Sequence, residues 1–435
     1  MRCGFAFVFA TRVSKRASAS ARRLEPARER VTLHRKIQAQ PYGTSLAPVR
    51  AMRLVLLSTA ALVGCAALVG CSSATEPPAS APPATEAAAT CEAPTLDHAV
   101  TLPLDGEKTE LECTMRALDA PLTDATVVCS AEYAHGVAET SLVHEALIRH
   151  LVVGAKFRTI AYEVDDATMR FVDAYVNDGD ASALDEYVKA AGSTLGNTKN
   201  VLALFEAFRE MKLALPAGER LTVRGIDVAI TQQPALDAVF AYLQKAEPAI
   251  VEEWKPKLTA RDRAAAREAA TTLRKYVDDH KADYVAKTDE ASFSRCDLDL
   301  EALAEGSAFL EKYQADSFIA GNAEFRDPAM SRNLLRIAAD GTKIVVVTHI
   351  GHCAKDWPSS GLPRSGGFFA FGKAVHESLG DRYRVGAQIP GSGTELTVEG
   401  KASPFEFSAK GLEKALSEAV EGPFALLPVR GSDPV

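Results

Sequence analysis

Thr342-Lys343-Ile344-Val345-Val346-Val347-Thr348-His349 decides the fold. A β-branched run entered from Asp340-Gly341 and left through a histidine is too short for a helix and reads as a buried strand. Working outward, Ala125–Ser130 (ATVVCS), Arg158–Glu163 (RTIAYE) and Leu221–Asp227 (LTVRGID) are earlier strands, and Arg382–Gln388 and Phe424–Val429 are later ones. Between the first two, Ser141–Val153 has helical spacing, with Leu142, Leu147, Ile148 and Leu151 on one face. Strands alternating with helices predict an α/β fold, with a mainly parallel central sheet and helices on both faces. Ala235–Leu258, Ala260–Lys287 and Leu298–Ala315 carry helical periodicity and no strand signal. They predict a helical insertion over about residues 230–320, placed as a lid or wall over the sheet.

The polar residues of interest fall at strand ends. The first strand runs into Glu132-Tyr133-Ala134-His135-Gly136, the second ends in Glu163, the third in Asp227, and the fourth in His349-Ile350-Gly351-His352. In open α/β sheets the ligand crevice lies beyond the carboxyl ends of the strands. The chain has nine histidines, and three of them sit at two of these ends. Acids and imidazoles converging there support either of two chemistries. One is general acid–base hydrolysis, with a histidine deprotonating water near neutral pH. The other is binding of a divalent metal. Asp227 reads equally as a helix cap. His144, His150, His280 and His376 lie on helical stretches without a partner pattern and are read as surface or packing residues.

The N-terminal part has another logic. Residues 1–51 hold 11 Lys/Arg against Glu25 and Glu29, and are read as an upstream or disordered leader outside the fold. Residues 52–71 run from Met52-Arg53 through an apolar stretch to Leu68-Val69-Gly70-Cys71, a lipoprotein signal ending at a lipid-modified Cys71. An earlier copy, Leu62-Val63-Gly64-Cys65, fits the same pattern. Residues 72–90, rich in Ser, Ala, Thr, Pro and Glu, are too poor in large apolar side chains to form a core and read as a tether. The expectation is a bacterial cell-envelope protein, held at the membrane by lipid on Cys71, with residues 91–435 as its soluble domain.

Of the 49 Lys/Arg and 57 Asp/Glu, residues 1–71 hold 12 and two, so the remainder carries a net charge near −18. That excludes a nucleic-acid partner as the default, because phosphate-backbone binders concentrate Lys and Arg. Cys91, Cys113, Cys129, Cys296 and Cys353 remain beyond the signal. Cys91 and Cys113 are the expected disulfide pair, and the lack of CxxC spacing argues against a thiolate zinc site.

Together these motifs resemble the erythromycin esterase family. Glu132-Tyr133-Ala134-His135-Gly136 followed by Glu139 is similar to its G-E-x-x-H-G-x-x-E segment. Phe157 through Glu163 resembles its strand ending in Glu, and Gly225-Ile226-Asp227 its Gly-hydrophobic-Asp strand end. Arg326-Asp327-Pro328-Ala329-Met330-Ser331-Arg332-Asn333 looks like its R-D-x-x-M-x-x-N helix, and Thr348-His349-Ile350-Gly351-His352 its A-H-N-x-H segment. Gly366-Gly367 and Leu379 through Tyr383 fit the next two blocks. The family's first Gly is Ala131 here, and its Asn is Ile350.

The resemblance implies a hydrolase of an ester or lactone bond that uses neither metal nor cofactor. In it His135 would be the base that activates water, with Glu132 and Glu163 orienting it. His349 or His352 would polarise the carbonyl. Asp227, Arg326 and Met330 would contact a small-molecule ester or lactone substrate. A water-attack mechanism agrees with the absence of a Gly-x-Ser-x-Gly nucleophile elbow. Related folds include a haem-binding lipoprotein, so the alternative is a metal- or haem-binding lipoprotein without hydrolase activity.

Overall fold

The computed structural model describes residues 5–11, 94, 100–103, 108–191, 196, 198–355, 371–390, 392–396, 401–406 and 424–430. The signal with Cys71, the tether, Cys91 and Gly366-Gly367 lie outside the described residues. The strands are β1 (Phe5–Thr11), β2 (Val100–Thr101), β3 (Val127–Glu132), β4 (Thr159–Asp165), β5 (Thr222–Asp227), β6 (Ile344–His349), β7 (Tyr383–Pro390), β8 (Ser392–Leu396), β9 (Ala402–Glu406) and β10 (Phe424–Arg430). Helices α1 (Lys108–Met115), α2 (Asp119–Leu122) and α3 (Ala138–Arg149) precede β4, and α4 (Asp166–Asp178), α5 (Ala181–Ala191) and α6 (Lys199–Leu213) follow it. Next come α7 (Gln233–Ala246), α8 (Val251–Leu258), α9 (Arg263–Asp279), α10 (Lys281–Lys287) and α11 (Glu290–Ala315). The last helices are α12 (Phe318–Gly321), α13 (Asp327–Ala338), α14 (Ile350–Cys353) and α15 (Phe371–Leu379).

The main sheet has the order β2-β10-β1-β7-β3-β6-β4-β5, and β8 pairs with β9 apart from it. Strands β7, β3, β6, β4 and β5 are mutually parallel, so the fold is α/β. The chain winds outward from β3 to β4 to β5, returns to lay β6 between β3 and β4, and places β7 on the far side of β3. That reversal is where a doubly wound sheet opens its crevice. Register brings the strand ends level, with Glu132 opposite both His349 and Gln388.

The apolar runs alternate between two buried faces. Val128, Ile160, Val345 and Val347 pack with α3, α4 and α6 on one face. Val127, Cys129, Ala161, Ile344 and Val346 pack with α13 and α15 on the other. Helices α7–α11 bury a core of their own, around Leu243, Trp254, Leu273 and Leu300. The bidentate ion pair from Arg170 of α4 to Asp299 of α11 ties this helical stretch to the sheet layer.

Two features go beyond the sequence reading. Phe5–Thr11, inside the expected leader, pairs parallel with β7 and antiparallel with β10. Phe-Ala-Phe-Val-Phe-Ala is a short apolar run of strand length, masked in the sequence by the basic residues that follow it. A disulfide not foreseen joins Cys129 on β3 to Cys353 on α14, with Cα atoms 6.4 Å apart. Cys113 is itself disulfide-bonded, while the pairing expected for it with Cys91 falls outside the described residues. Among the described residues Cys296 is a free, buried thiol.

Candidate active site

The site has two halves that meet at the carboxyl edge of the sheet. The first grows from the end of β3. Glu132 closes the strand, and the turn after it brings His135 back over the strand end. Gly136 makes that turn with φ of 70°, a left-handed conformation that suits glycine. His135 Nδ1–H donates to Glu132 Oε1 at 2.6 Å. A carboxylate only accepts, so this bond places the proton on Nδ1 and leaves Nε2 with its lone pair. Nε2 has no hydrogen-bond partner among the described residues, and the ring lines a cavity. Burial works against ionising Glu132, but hydrogen bonds from His135 and His144 outweigh it and hold the carboxyl at about 2. Burial likewise opposes charging His135, and the Glu132 carboxylate wins, raising the imidazole above its ordinary value.

The second half is centred on Glu163 of β4. Its Oε1 receives Arg326 Nη2–H at 2.7 Å and faces His352 Nε2 at 3.2 Å. Its Oε2 accepts Thr348 Oγ1–H at 2.6 Å and the His349 backbone N–H at 2.8 Å. Burial favours the neutral acid, yet His352 and Arg326 hold Glu163 well below the usual carboxylate range. Saturated with donors, Glu163 fastens β4 to the end of β6. Arg326, which sits in the turn ahead of α13, also grips Asp227 through Nε at 2.9 Å and Nη2 at 2.6 Å. Glycine is required two residues before Asp227, because a Cβ on Gly225 would meet the Asp165 backbone at 2.3 Å.

The expected site residues therefore divide. Glu132, His135, Glu163, Asp227 and Arg326 line one cavity of about 620 Å³. His349 and His352 flank it, but neither offers a free N–H to a carbonyl. His349 Nε2–H donates to the Tyr133 carbonyl at 2.8 Å, and its Nδ1 accepts from the Gly351 N–H at 3.0 Å. Burial and the neighbouring His135 keep this ring neutral. His352 faces carboxylates with both nitrogens, Asp327 at 2.7 Å and Glu163 at 3.2 Å. Against the cost of burial, these two acids raise it to about 10, so it is a cation. Met330 does not reach the cavity. It is fully buried among Ile226, Leu334 and Ile344, because its position on α13 faces the sheet.

The cavity wall also differs from expectation. Apart from Phe318 on α12, the expected insertion supplies only Ile230 and Thr231, just ahead of α7. Most of the apolar lining comes from α5, α6 and β4, through Tyr187, Ala190, Val201, Leu204, Tyr162 and Val164. Two residues of the site escaped notice in the sequence. Asp327 belongs to the segment that starts at Arg326, and it anchors His352. His144 was read as packing, yet it lines the cavity behind Glu132. The one available signal was its place nine residues after His135, one face of a helix facing the strand end. Among the described residues, no group of three or more His, Cys, Asp or Glu is arranged to hold a metal ion.

These features define an α/β protein with a cleft at the topological switch point, walled by apolar helices and floored by paired acids and imidazoles. The chain belongs to the erythromycin esterase family, whose model matches residues 153–429. Glu132 and His135 precede that matched segment.

Solved structures agree on the fold. A histidine-to-asparagine mutant of the erythromycin esterase EreC, in its open conformation, is 17% identical with a TM-score of 0.57, over 70% of this chain and 82% of the other. A succinoglycan biosynthesis protein is 16% identical with a TM-score of 0.58, over 74% and 81%. A Bacillus cereus protein is 17% identical with a TM-score of 0.56, over 72% and 78%. No curated protein matches the chain in sequence.

Proposed function

We propose that the protein hydrolyses a bulky, largely apolar ester or lactone with a water molecule activated by His135, without a metal. The observation that carries this reading is the 2.6 Å bond that fixes the Nδ1 proton on Glu132 and turns Nε2 to the cavity. In the proposed step Nε2 takes a proton from water as the oxygen attacks the carbonyl carbon. The acyl C–O bond then breaks, and the same proton passes to the departing alkoxide, giving acid and alcohol. Arg326 Nη1 is the donor best placed for the developing oxyanion. Its contacts, 3.5 Å to Asn322 and 3.4 Å to His352, are long, and the residue lines the cavity. Family membership supports the hydrolase reading, and the α5–α6 wall supports an apolar substrate. Macrolide lactones are one class of that kind. The metal- or haem-binding alternative is disfavoured because His349 and His352 spend their ring nitrogens on the protein.

We also propose that the mature protein is anchored in the cell envelope through lipid on Cys71, on the strength of Leu68-Val69-Gly70-Cys71. The activity test is a panel of hydrophobic esters and macrolactones, scored by acid released. Turnover by the parent protein and its loss in His135→Ala, with unfolding unchanged, supports the reading. Equal turnover by both proteins overturns it.

A further inference from the structure

Behind Glu132 lies a polar layer that the proposed chemistry does not use. Ser130 and Glu132, two apart on β3, point to the same face of the sheet. Gln388 of β7 stands in register with Glu132 and shares that face. His144, in the second turn of α3, packs down on all three and is buried with 2% exposure. Its Nδ1 lies 2.7 Å from Ser130 Oγ and 3.0 Å from Gln388 Nε2. Its Nε2 lies 3.5 Å from Glu132 Oε2, the oxygen His135 does not use, and 3.4 Å from the Gln388 amide.

The proton on His144 follows from its neighbours. Glu132 is ionised and can only accept, so Nε2 must carry a hydrogen to face it without repulsion. The amide of Gln388 can stand either way, since its Oε1 has no hydrogen-bond partner among the described residues. With Nε2 of Gln388 facing it, Nδ1 accepts; with Oε1 there, Nδ1 donates. Both orientations keep the hydrogen on Nε2 of His144. Packing alone would be served by an apolar side chain on α3. A buried imidazole with partners on both nitrogens is a costly choice unless its donor matters.

We infer that His144 is a positioning residue, whose Nε2–H holds the second oxygen of Glu132 and thereby fixes the proton that His135 carries. The inference rests on the reading of His135 as the base. Glu132 is then a carboxylate held between two imidazoles, one at each oxygen. Loss of the rear donor leaves Glu132 more basic toward His135. The imidazolium of His135 is favoured, and the free base forms only at higher pH. The other groups facing His135 are Glu163 from β4, Arg326 from the turn ahead of α13, and His349 at the end of β6, whose ring centroid is 5.2 Å away. None of these touches His144, so they are constant in the comparison.

The test is nitrogen-15 resonance of the histidine rings of the full chain across pH, which needs no substrate. Three variants are compared: His144→Phe keeps volume without a donor, His144→Gln places an amide N–H near the Nε2 position, and His144→Asn places one near Nδ1 only. The positioning role predicts an upward shift of the His135 titration in Phe and Asn, and the parent titration restored in Gln. A purely structural His144, serving Ser130 and Gln388, predicts that Asn restores the parent behaviour and Gln does not. An unshifted His135 titration in all three variants also overturns the inference. If the Phe variant fails to fold, the Asn and Gln pair decides alone. Turnover that survives His135→Ala defeats the catalytic reading separately, without moving these titrations.

Discussion

Replacing Arg326 by Met removes the cation that binds the two carboxylates beneath the cavity. The Arg326, Glu163 and Asp227 side chains are 7%, 12% and 4% exposed. Asp227 loses every guanidinium contact it has, and Glu163 loses one of its four donors. Breaking a buried ion pair from one side costs about 3–5 kcal/mol, because a charge is left uncompensated. At roughly 2–4 °C per kcal/mol for a domain of this scale, Tm falls by about 10 °C. Adding Asp227→Asn removes the orphaned charge, and part of the loss returns. The pH dependence changes as well. Glu163 is depressed in the folded state first by His352 and then by Arg326. Its contribution is present above the ordinary carboxylate range and lost as pH falls through the depressed folded value. The Arg326→Met variant therefore loses less on acidification than the parent. Urea unfolding from neutral pH to about pH 2, below the ordinary carboxylate range, checks both points. A loss under about 1 kcal/mol, or no recovery in the double variant, refutes the network as described.

Three further outcomes follow from the same geometry. Glu132→Gln costs about 10²–10⁴ in turnover, the range for a misdirected general base. Its acid limb also moves to lower pH, because the carboxylate that raises His135 is gone; a pH–rate profile reads both. Replacing Cys129 and Cys353 by Ala lowers stability by about 2–4 kcal/mol, since the link spans 224 residues and ties the turn bearing His352 to the strand bearing Glu132. Denaturant titration of that double variant against the parent measures it. Intact mass of membrane-extracted protein shows a lipid-modified chain starting at Cys71. A mass that includes Phe5–Thr11 instead means that β1 stays in the working protein and the anchor proposal fails.

The sheet was readable because β-branched runs such as Ile344–Val347 have no good alternative to a buried strand. The chemistry at four strand ends was readable because strand ends in α/β sheets gather by topology, whatever the substrate. Met330 was misplaced because a helix position taken from a motif does not say which face meets the sheet. His349 looked like an electrophile because spacing cannot reveal that both ring nitrogens are met by the backbone. His144 was passed over because its partners, Ser130 and Gln388, lie on β3 and β7, strands far apart in the chain that pair only in the fold. The Cys129–Cys353 link was hidden for the same reason. The cavity wall on α5 and α6 carried only ordinary apolar periodicity, so nothing separated it from core.

The central claim is that His135, with its proton held on Nδ1 by Glu132, is the base that activates water. The direct measurement is the nitrogen-15 titration of His135 set beside the acid limb of kcat/KM for one hydrolysed ester, in the same protein. The account predicts that turnover rises with pH as His135 loses its imidazolium proton, that both curves share one midpoint above the ordinary histidine value, and that Nδ1 keeps the remaining proton. Turnover that rises at a different pH from the His135 titration, or a neutral ring protonated on Nε2, would contradict it.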